Sequence, residues 1–330
     1  MTPILEVEGL RVQLQGRRGR VTVVDGADFT LREGEILGVA GESGSGKTLS
    51  MLSLLGLLPA GAVVEGRAMF GGQDLLALQG RALRDVRGAQ IGMVFQDPMT
   101  SLHPMVTIGR ALTEHLRFHT KMKKAEARRR AIELLEEVRM PDPEGCLRAY
   151  PHQFSGGMRQ RLAIAVALVC KPKILIADEP TTALDVTVQA GIVRLLDRLR
   201  RETGLSVLMI THDLGVLSAI ADRISVMYAG RVIETGVKRD ILRAPRHPYT
   251  AGLLDALPHP EAPADTPLLT IAGAPPSAND VISGCKFHPR CRFAQDSCRT
   301  EVPSFVTAAD GREFACPVDP LPATRAEVVR

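Results

Sequence analysis

The sequence predicts an α/β fold built on a mostly parallel sheet with helices on both faces. Three observations carry this prediction. Four short apolar runs, Ile36–Ala40, Ile91–Phe95, Ile174–Ala177 and Val207–Ile210, read as strands buried on both sides. Stretches of helical period lie between them, the interleaving that parallel strands require. The first run leads directly into Gly41-Glu42-Ser43-Gly44-Ser45-Gly46-Lys47-Thr48, which fits the phosphate-loop pattern G-x-x-x-x-G-K-[ST] in its strand-to-helix setting.

The elements follow in order. Residues 4–8 and 21–31 alternate in a way that suits strands, with a turn at Arg32-Glu33-Gly34-Glu35. A helix is expected from Lys47 to about Leu57, stopping near Pro59. The strand Ile91–Phe95 ends at Gln96-Asp97-Pro98, and from about 105 to 140 the period becomes helical, with Ala125–Val138 rich in good helix formers. Gly156–Cys170 and Val186–Arg201 read as further helices, the second closed by Gly204. Residues 97–165 thus form a helical insertion in the sheet domain.

With 330 residues, the chain is long enough for about two domains, and 45% hydrophobic with 24% charged residues is ordinary globular composition. A formal charge of +4 is too small at this length to argue for nucleic acid. The basic clusters Arg17-Arg18-Gly19-Arg20, Lys121–Lys124 and Arg128–Arg130 read as solvated faces. The start has no basic region before an apolar core, so no signal peptide is expected. The longest mostly apolar stretch, Met51–Val64, is interrupted by Ser53 and Pro59 and falls short of the ~18–20 residues that span a bilayer. Composition shifts near 244, and thirteen of the 22 prolines and four of the six cysteines lie in the last 90 residues.

The phosphate loop needs its glycines because backbone N–H groups turn inward around phosphate oxygens. Within it, Gly41, Ser43, Gly44, Ser45 and Gly46 form the cradle. Lys47 supplies a point charge to the β- and γ-phosphates, and the Thr48 hydroxyl binds Mg²⁺. Asp178 follows a buried strand, suiting a carboxylate that orients Mg²⁺, and Glu179 next to it is the candidate general base toward water. Ser155 reads as a helix cap, with Gly156 and Gly157 letting backbone approach an anion at the helix start. His212 ends the next buried strand, at the sheet edge where ligands collect in open α/β folds.

Together, Gly41–Thr48, Gln96, Phe154-Ser155-Gly156-Gly157-Met158-Arg159-Gln160, Asp178-Glu179, Ala183-Leu184-Asp185 and His212 resemble the ordered motifs of the ATP-binding cassette (ABC) family. The fold so implied is a P-loop NTPase cassette over 1–243, with N-terminal antiparallel strands and the helical subdomain at about 97–165. A small Cys/Pro-rich C-terminal module would occupy 244–330. The resemblance implies ATP and Mg²⁺ as ligands, Gln96 sensing Mg²⁺ and the γ-phosphate, and His212 contacting that phosphate. Ser155, Gly156 and Gly157 would contact the nucleotide held by a partner's phosphate loop, with Asp185 acting across the dimer. Members usually place an aromatic ring ahead of the phosphate loop to stack on adenine. Gly16–Val24 has none, leaving Arg18 as the stacking candidate.

Three segments narrow the resemblance: Phe95–Pro104, Glu179–Thr187, and His247-Pro248-Tyr249-Thr250 followed by Leu253-Leu254 and Ala256-Leu257-Pro258. They are similar to ATPase subunits of oligopeptide/dipeptide importers, a pattern shared with nickel and glutathione importers. This implies an ATPase that drives solute import from the cytoplasmic face of the inner membrane, as a peripheral subunit. Its partners would be two transmembrane permease subunits, a second and paralogous ATPase forming a heterodimer, and indirectly a solute-binding protein. A non-transport ABC ATPase is the rival reading, but such proteins usually carry two cassettes or long coiled-coil insertions.

Cys285, Cys291, Cys298 and Cys316 are separated by five, six and seventeen residues, without the paired C-x-x-C of common zinc sites. In a cytosolic chain a structural disulfide is disfavoured, leaving zinc, an iron–sulfur cluster or free thiols. The resemblance to oligopeptide/dipeptide importer ATPases implies a [4Fe–4S] cluster. Lys286, Arg290 and Arg292 are expected to offset the charge of such a centre. Cys146 and Cys170, on helix-like segments, read as buried apolar residues.

Overall fold

The computed structural model describes residues 2–17, 19–182, 184–257 and 270–318. Arg18, Ala183 and Pro258, named above, lie outside them. The chain forms two compact units, each discontinuous in sequence.

One unit comprises Met1–Leu5, Leu31–Ile36 and Phe70–Ile210. Its strands Ile91–Val94, Ile174–Asp178 and Ser206–Thr211 pair in parallel, with Ile91 opposite Ile174 and Asp178 opposite Ile210. Ile174–Asp178 and Ser206–Thr211 are buried at every position, which is why they read as continuous apolar runs. The helical block is present as Ile108–Thr120, Lys124–Glu137 and Gly156–Leu168, with short helices at Pro98–Ser101 and Pro143–Cys146. Thr107 caps Ile108–Thr120 by accepting from Arg110 N–H at 3.4 Å. Ile108, Leu112 and Leu116, four residues apart, form its buried stripe. Val186–Thr203 ends at Gly204, which is left-handed at φ 71°.

The second unit comprises Glu6–Thr30, Leu37–Met69 and Thr211–Arg330. Ile36–Ala40 pairs in parallel with Arg223–Tyr228, which pairs antiparallel with Arg231–Val237. Glu313–Phe314 pairs with that last strand at Glu234 and Thr235, so residues near the C-terminus add to this sheet. The long strands Gly19–Arg32, Pro3–Gly16 and Val63–Phe70 are neighbours in that order. Both of the first two run past the expected bounds, Pro3–Gly16 because Leu10 and Val12 continue its buried alternation. The helix at Lys47 closes at Leu54, and the strand at Val63 was not anticipated. Among the described residues, no helix is long and apolar enough to cross a membrane.

Candidate nucleotide-binding site

In the second unit the buried strand Ile36–Ala40 delivers the chain to the phosphate loop, and the helix Lys47–Leu54 leaves it. Gly46 is the helix N-cap at φ 99°, and no side chain caps the first N–H groups. A Cβ there would lie 2.8 Å from the Val23 carbonyl oxygen. Conformation and space therefore both require glycine at the start of this helix. Lys47 is buried. Its ammonium donates to the carbonyls of Gly41 and Glu42 at 2.7 and 2.8 Å and to Ser45 Oγ at 3.2 Å. The Ser45 carbonyl accepts from Gly230 N–H at 2.9 Å, which ties the loop to the turn after Arg223–Tyr228. Ser43 and Gly44 are exposed, and Thr48 is half-buried in the first turn of the helix.

His212 belongs to this unit too, exposed just after Ser206–Thr211. Its neighbour Asp213 starts the next helix by accepting from the N–H groups of Gly215 and Val216 at 2.7 and 3.2 Å.

The first unit gathers a second set. Asp178 is buried at the end of its strand. Glu179 follows at φ 45°, an uncommon value for a residue with a side chain, and its N–H donates to the Ile210 carbonyl at 2.8 Å. That turn carries its carboxylate to Gln96, whose Nε2 donates to Oε2 at 3.2 Å. The Thr182 hydroxyl donates to the same oxygen at 2.8 Å. Gln96 and Glu179, 83 residues apart, are therefore brought together. Thr182 is a member of this cluster that the sequence reading missed. Its signal was a hydroxyl three residues after the carboxylate, within reach only if the chain turns back.

Ser155 caps Gly156–Leu168 as expected, accepting from Met158 N–H at 3.4 Å, and Ser155 and Gly156 are exposed. Gly157 has a packing reason as well. A Cβ there would run into the Val188 side chain, so the glycine lets Gly156–Leu168 approach Val186–Thr203 closely. Asp185 caps Val186–Thr203, accepting from Val188 N–H at 2.9 Å, and it too is exposed.

All four tail cysteines line one cavity in the second unit, beside His247, Phe287 and His288. Cys285 N–H donates to the Cys298 carbonyl at 2.8 Å, and Val318 N–H to Cys316 Sγ at 3.4 Å. Burial pushes the Cys285 and Cys291 thiols up, and Cys316 to about 12. Among the described residues, no three His, Cys, Asp or Glu side chains form a group set to hold a single metal ion.

Two expectations about charge and burial need correction. Arg290 forks onto Glu42, and Lys286 reaches Asp25 at 3.2 Å and the Ala229 carbonyl at 3.0 Å. All three are engaged by carboxylates, since Arg292 pairs with Asp255 at 3.6 Å, and of the three Arg292 is the one whose charge also favours the thiolate of Cys291. Cys146 is buried as expected, but Cys170 is half-buried, its thiol pushed up to about 11 by desolvation.

Two family models match the chain: "ABC transporter" over residues 24–182, and "Oligopeptide/dipeptide transporter, C-terminal region" over residues 233–298. The oligopeptide transport ATP-binding protein OppD of Salmonella typhimurium is 48% identical over 320 residues, covering 96% of this chain and 95% of the relative. The dipeptide transport ATP-binding protein DppD of Escherichia coli is 45% identical over 314 residues, covering 95% and 96%. A dimeric ATP-binding cassette in a post-hydrolysis state, bound to ADP and Pi, superposes with a TM-score of 0.64 at 30% identity, over 71% of this chain and 99% of that one. The chain is therefore an ABC-family ATPase and belongs to the ATP-binding subunits of oligopeptide/dipeptide transporters.

Proposed function

We propose that this chain hydrolyses ATP to drive uptake of oligo- or dipeptides through a membrane permease, working at the cytoplasmic face of the inner membrane. The observation that carries the chemistry is the Glu179 carboxylate held by Gln96 and Thr182 next to buried Asp178. Glu179 accepts a proton from water as the water oxygen attacks the γ-phosphorus, and the bond to the ADP oxygen breaks to leave ADP and phosphate. Lys47 and the loop 41–48 hold the β- and γ-phosphates, and His212 contacts the γ-phosphate. Thr48, Gln96 and Asp178 would hold Mg²⁺, which when bound offsets phosphate charge.

Ser155, Gly156 and Gly157 would reach the nucleotide held by a second cassette's phosphate loop, with Asp185 acting across the same dimer. ATP thereby joins two cassettes, and loss of the γ-phosphate lets them part. We assign the second cassette to a paralogue and the transport partners to two permease subunits supplied by a solute-binding protein. The cassette proper would run over 1–243, with its helical subdomain at about 97–165 and the groove for a coupling helix of the permease near 97–118, and 244–330 would form the C-terminal extension.

Cys285, Cys291, Cys298 and Cys316 would hold a [4Fe–4S] cluster. What supports this reading is that all four cysteines line one cavity, since four thiolates suit such a cluster.

The test is a pull-down of tagged Glu179→Gln protein, trapped with ATP, from detergent-solubilised membranes. Recovery of two multi-span permeases and a second cassette is expected. Recovery of soluble partners alone would overturn the transport reading.

A further inference from the structure

Glu42 sits inside the phosphate loop, where a carboxylate opposes a polyanionic ligand. Its charge is answered from far along the chain. Arg290 donates through Nη1 and Nη2 to the two carboxylate oxygens at 2.7 and 3.0 Å, the planar fork that favours guanidinium over ammonium. The Arg290 side chain is 6% exposed. Its third nitrogen, Nε, donates to the Ala272 carbonyl at 2.9 Å, and Nη1 lies 3.4 Å from the Tyr228 hydroxyl. The other end of Glu42 is held as well, since its N–H donates to the hydroxyl of fully buried Tyr249 at 2.8 Å. Tyr249 packs on Tyr228 and Phe287, with ring centroids 4.6 and 5.4 Å apart. The loop residue that most disfavours an anion is thus neutralised and fixed at both ends by the segment that carries the cysteines.

We propose that Arg290 is a positioning residue for nucleotide binding, acting through Glu42. It cancels the loop's own negative charge and locks the Glu42 carboxylate away from the phosphates. It touches neither the attacking water nor the general base, so it governs affinity and leaves the chemical step alone. This inference rests on the reading that residues 41–48 bind the triphosphate, and its test separates the two.

The measurement is the Kd of a fluorescent ATP analogue for the full chain, with KM and kcat for ATP hydrolysis by the same proteins. Arg290→Met is expected to weaken binding and raise KM by about tenfold, equivalent to about 1.4 kcal/mol, with kcat within about twofold. Arg290→Lys keeps the charge without the fork and should recover part of the loss. In a Glu42→Gln background, which has no charge to cancel, Arg290→Met should change Kd by less than about twofold. Melting temperatures without nucleotide check that each variant folds, and Arg290→Lys stands in should Arg290→Met fail to. Lys47→Ala is the control for the loop itself. If Lys47→Ala abolishes binding while the Arg290 variants bind like the unmodified chain, the inference falls and the loop reading stands. An equal loss in the Glu42→Gln background, or a fall in kcat at constant KM, also overturns it. Failure of the unmodified chain to bind the analogue would overturn both.

Discussion

Glu179 combines a catalytic assignment with an unfavourable backbone, and the two can be separated by a pair of substitutions. At φ 45° the residue pays the left-handed cost of roughly 1–2 kcal/mol that applies to any side chain beyond glycine. The conformation is held from both sides, by the N–H bond to Ile210 and by the Glu179 carbonyl accepting from Thr182 N–H at 3.2 Å. Glu179→Ala and Glu179→Gly both delete the carboxylate and its bonds to Gln96 and Thr182, so those losses cancel in the comparison. What remains is the left-handed cost, offset by glycine's extra unfolded-state freedom of about 0.5–1 kcal/mol. The glycine variant should therefore be the more stable by about 1 kcal/mol, roughly 1–2 °C in melting temperature followed by circular dichroism. Both should lose hydrolysis by roughly 10²–10⁴-fold. An alanine variant melting at or above the glycine variant would refute the strain argument, and undiminished turnover in either would refute the general-base assignment.

Other consequences are as direct. Asp185→Ala removes the cap on Val186–Thr203 and should cost about 1 kcal/mol in urea unfolding, with Asp185→Asn nearly neutral. Gly157→Ala places a Cβ on Val188 and should destabilise by about 1–3 kcal/mol, and adding Val188→Ala should recover most of it. Protein purified without oxygen should carry iron and acid-labile sulfide in equal amounts, and replacing Cys285, Cys291, Cys298 and Cys316 by serine should remove both. Zinc without sulfide would favour the single-ion reading instead.

Most of the candidate nucleotide site was open to proposal from the sequence because its motifs are local. A loop that turns N–H groups inward, an acid closing a buried strand and a hydroxyl starting a helix each announce themselves within eight residues. The helical block was legible for a similar reason, since Ile108, Leu112 and Leu116 repeat at the helical spacing. The hairpin of Arg223–Tyr228 and Arg231–Val237 was not. Its turn is Ala229-Gly230, and Ala229 takes φ 46° without the Asn or Asp that usually advertises such a corner. The Glu42 anchors were illegible in principle, because Tyr249 and Arg290 lie 207 and 248 residues away and no periodicity links them to the loop.

That blind spot bears on how the last third of the chain is understood. Its prolines and cysteines make it look like an addition, and composition alone gives it no part in binding ATP. Yet four of its residues reach the phosphate loop or the strands and turn that support it. Tyr249 and Arg290 hold Glu42, Lys286 holds Asp25 and the Ala229 carbonyl, and Phe314 pairs with Glu234. Asp25 in turn accepts from Arg231 at 2.8 Å, so Lys286 and Arg231 share one carboxylate beside the turn that supplies Gly230 N–H to Ser45. Holding a short loop against the electrostatic preference of its own glutamate takes donors fixed by packing, and a buried Arg and a buried Tyr satisfy that where exposed lysines would not. The residues that flank the thiols are therefore also residues that shape the phosphate loop. Arg290 itself lies between Cys285 and Cys291, so the segment that carries the thiols is hydrogen-bonded directly to the phosphate loop through Glu42.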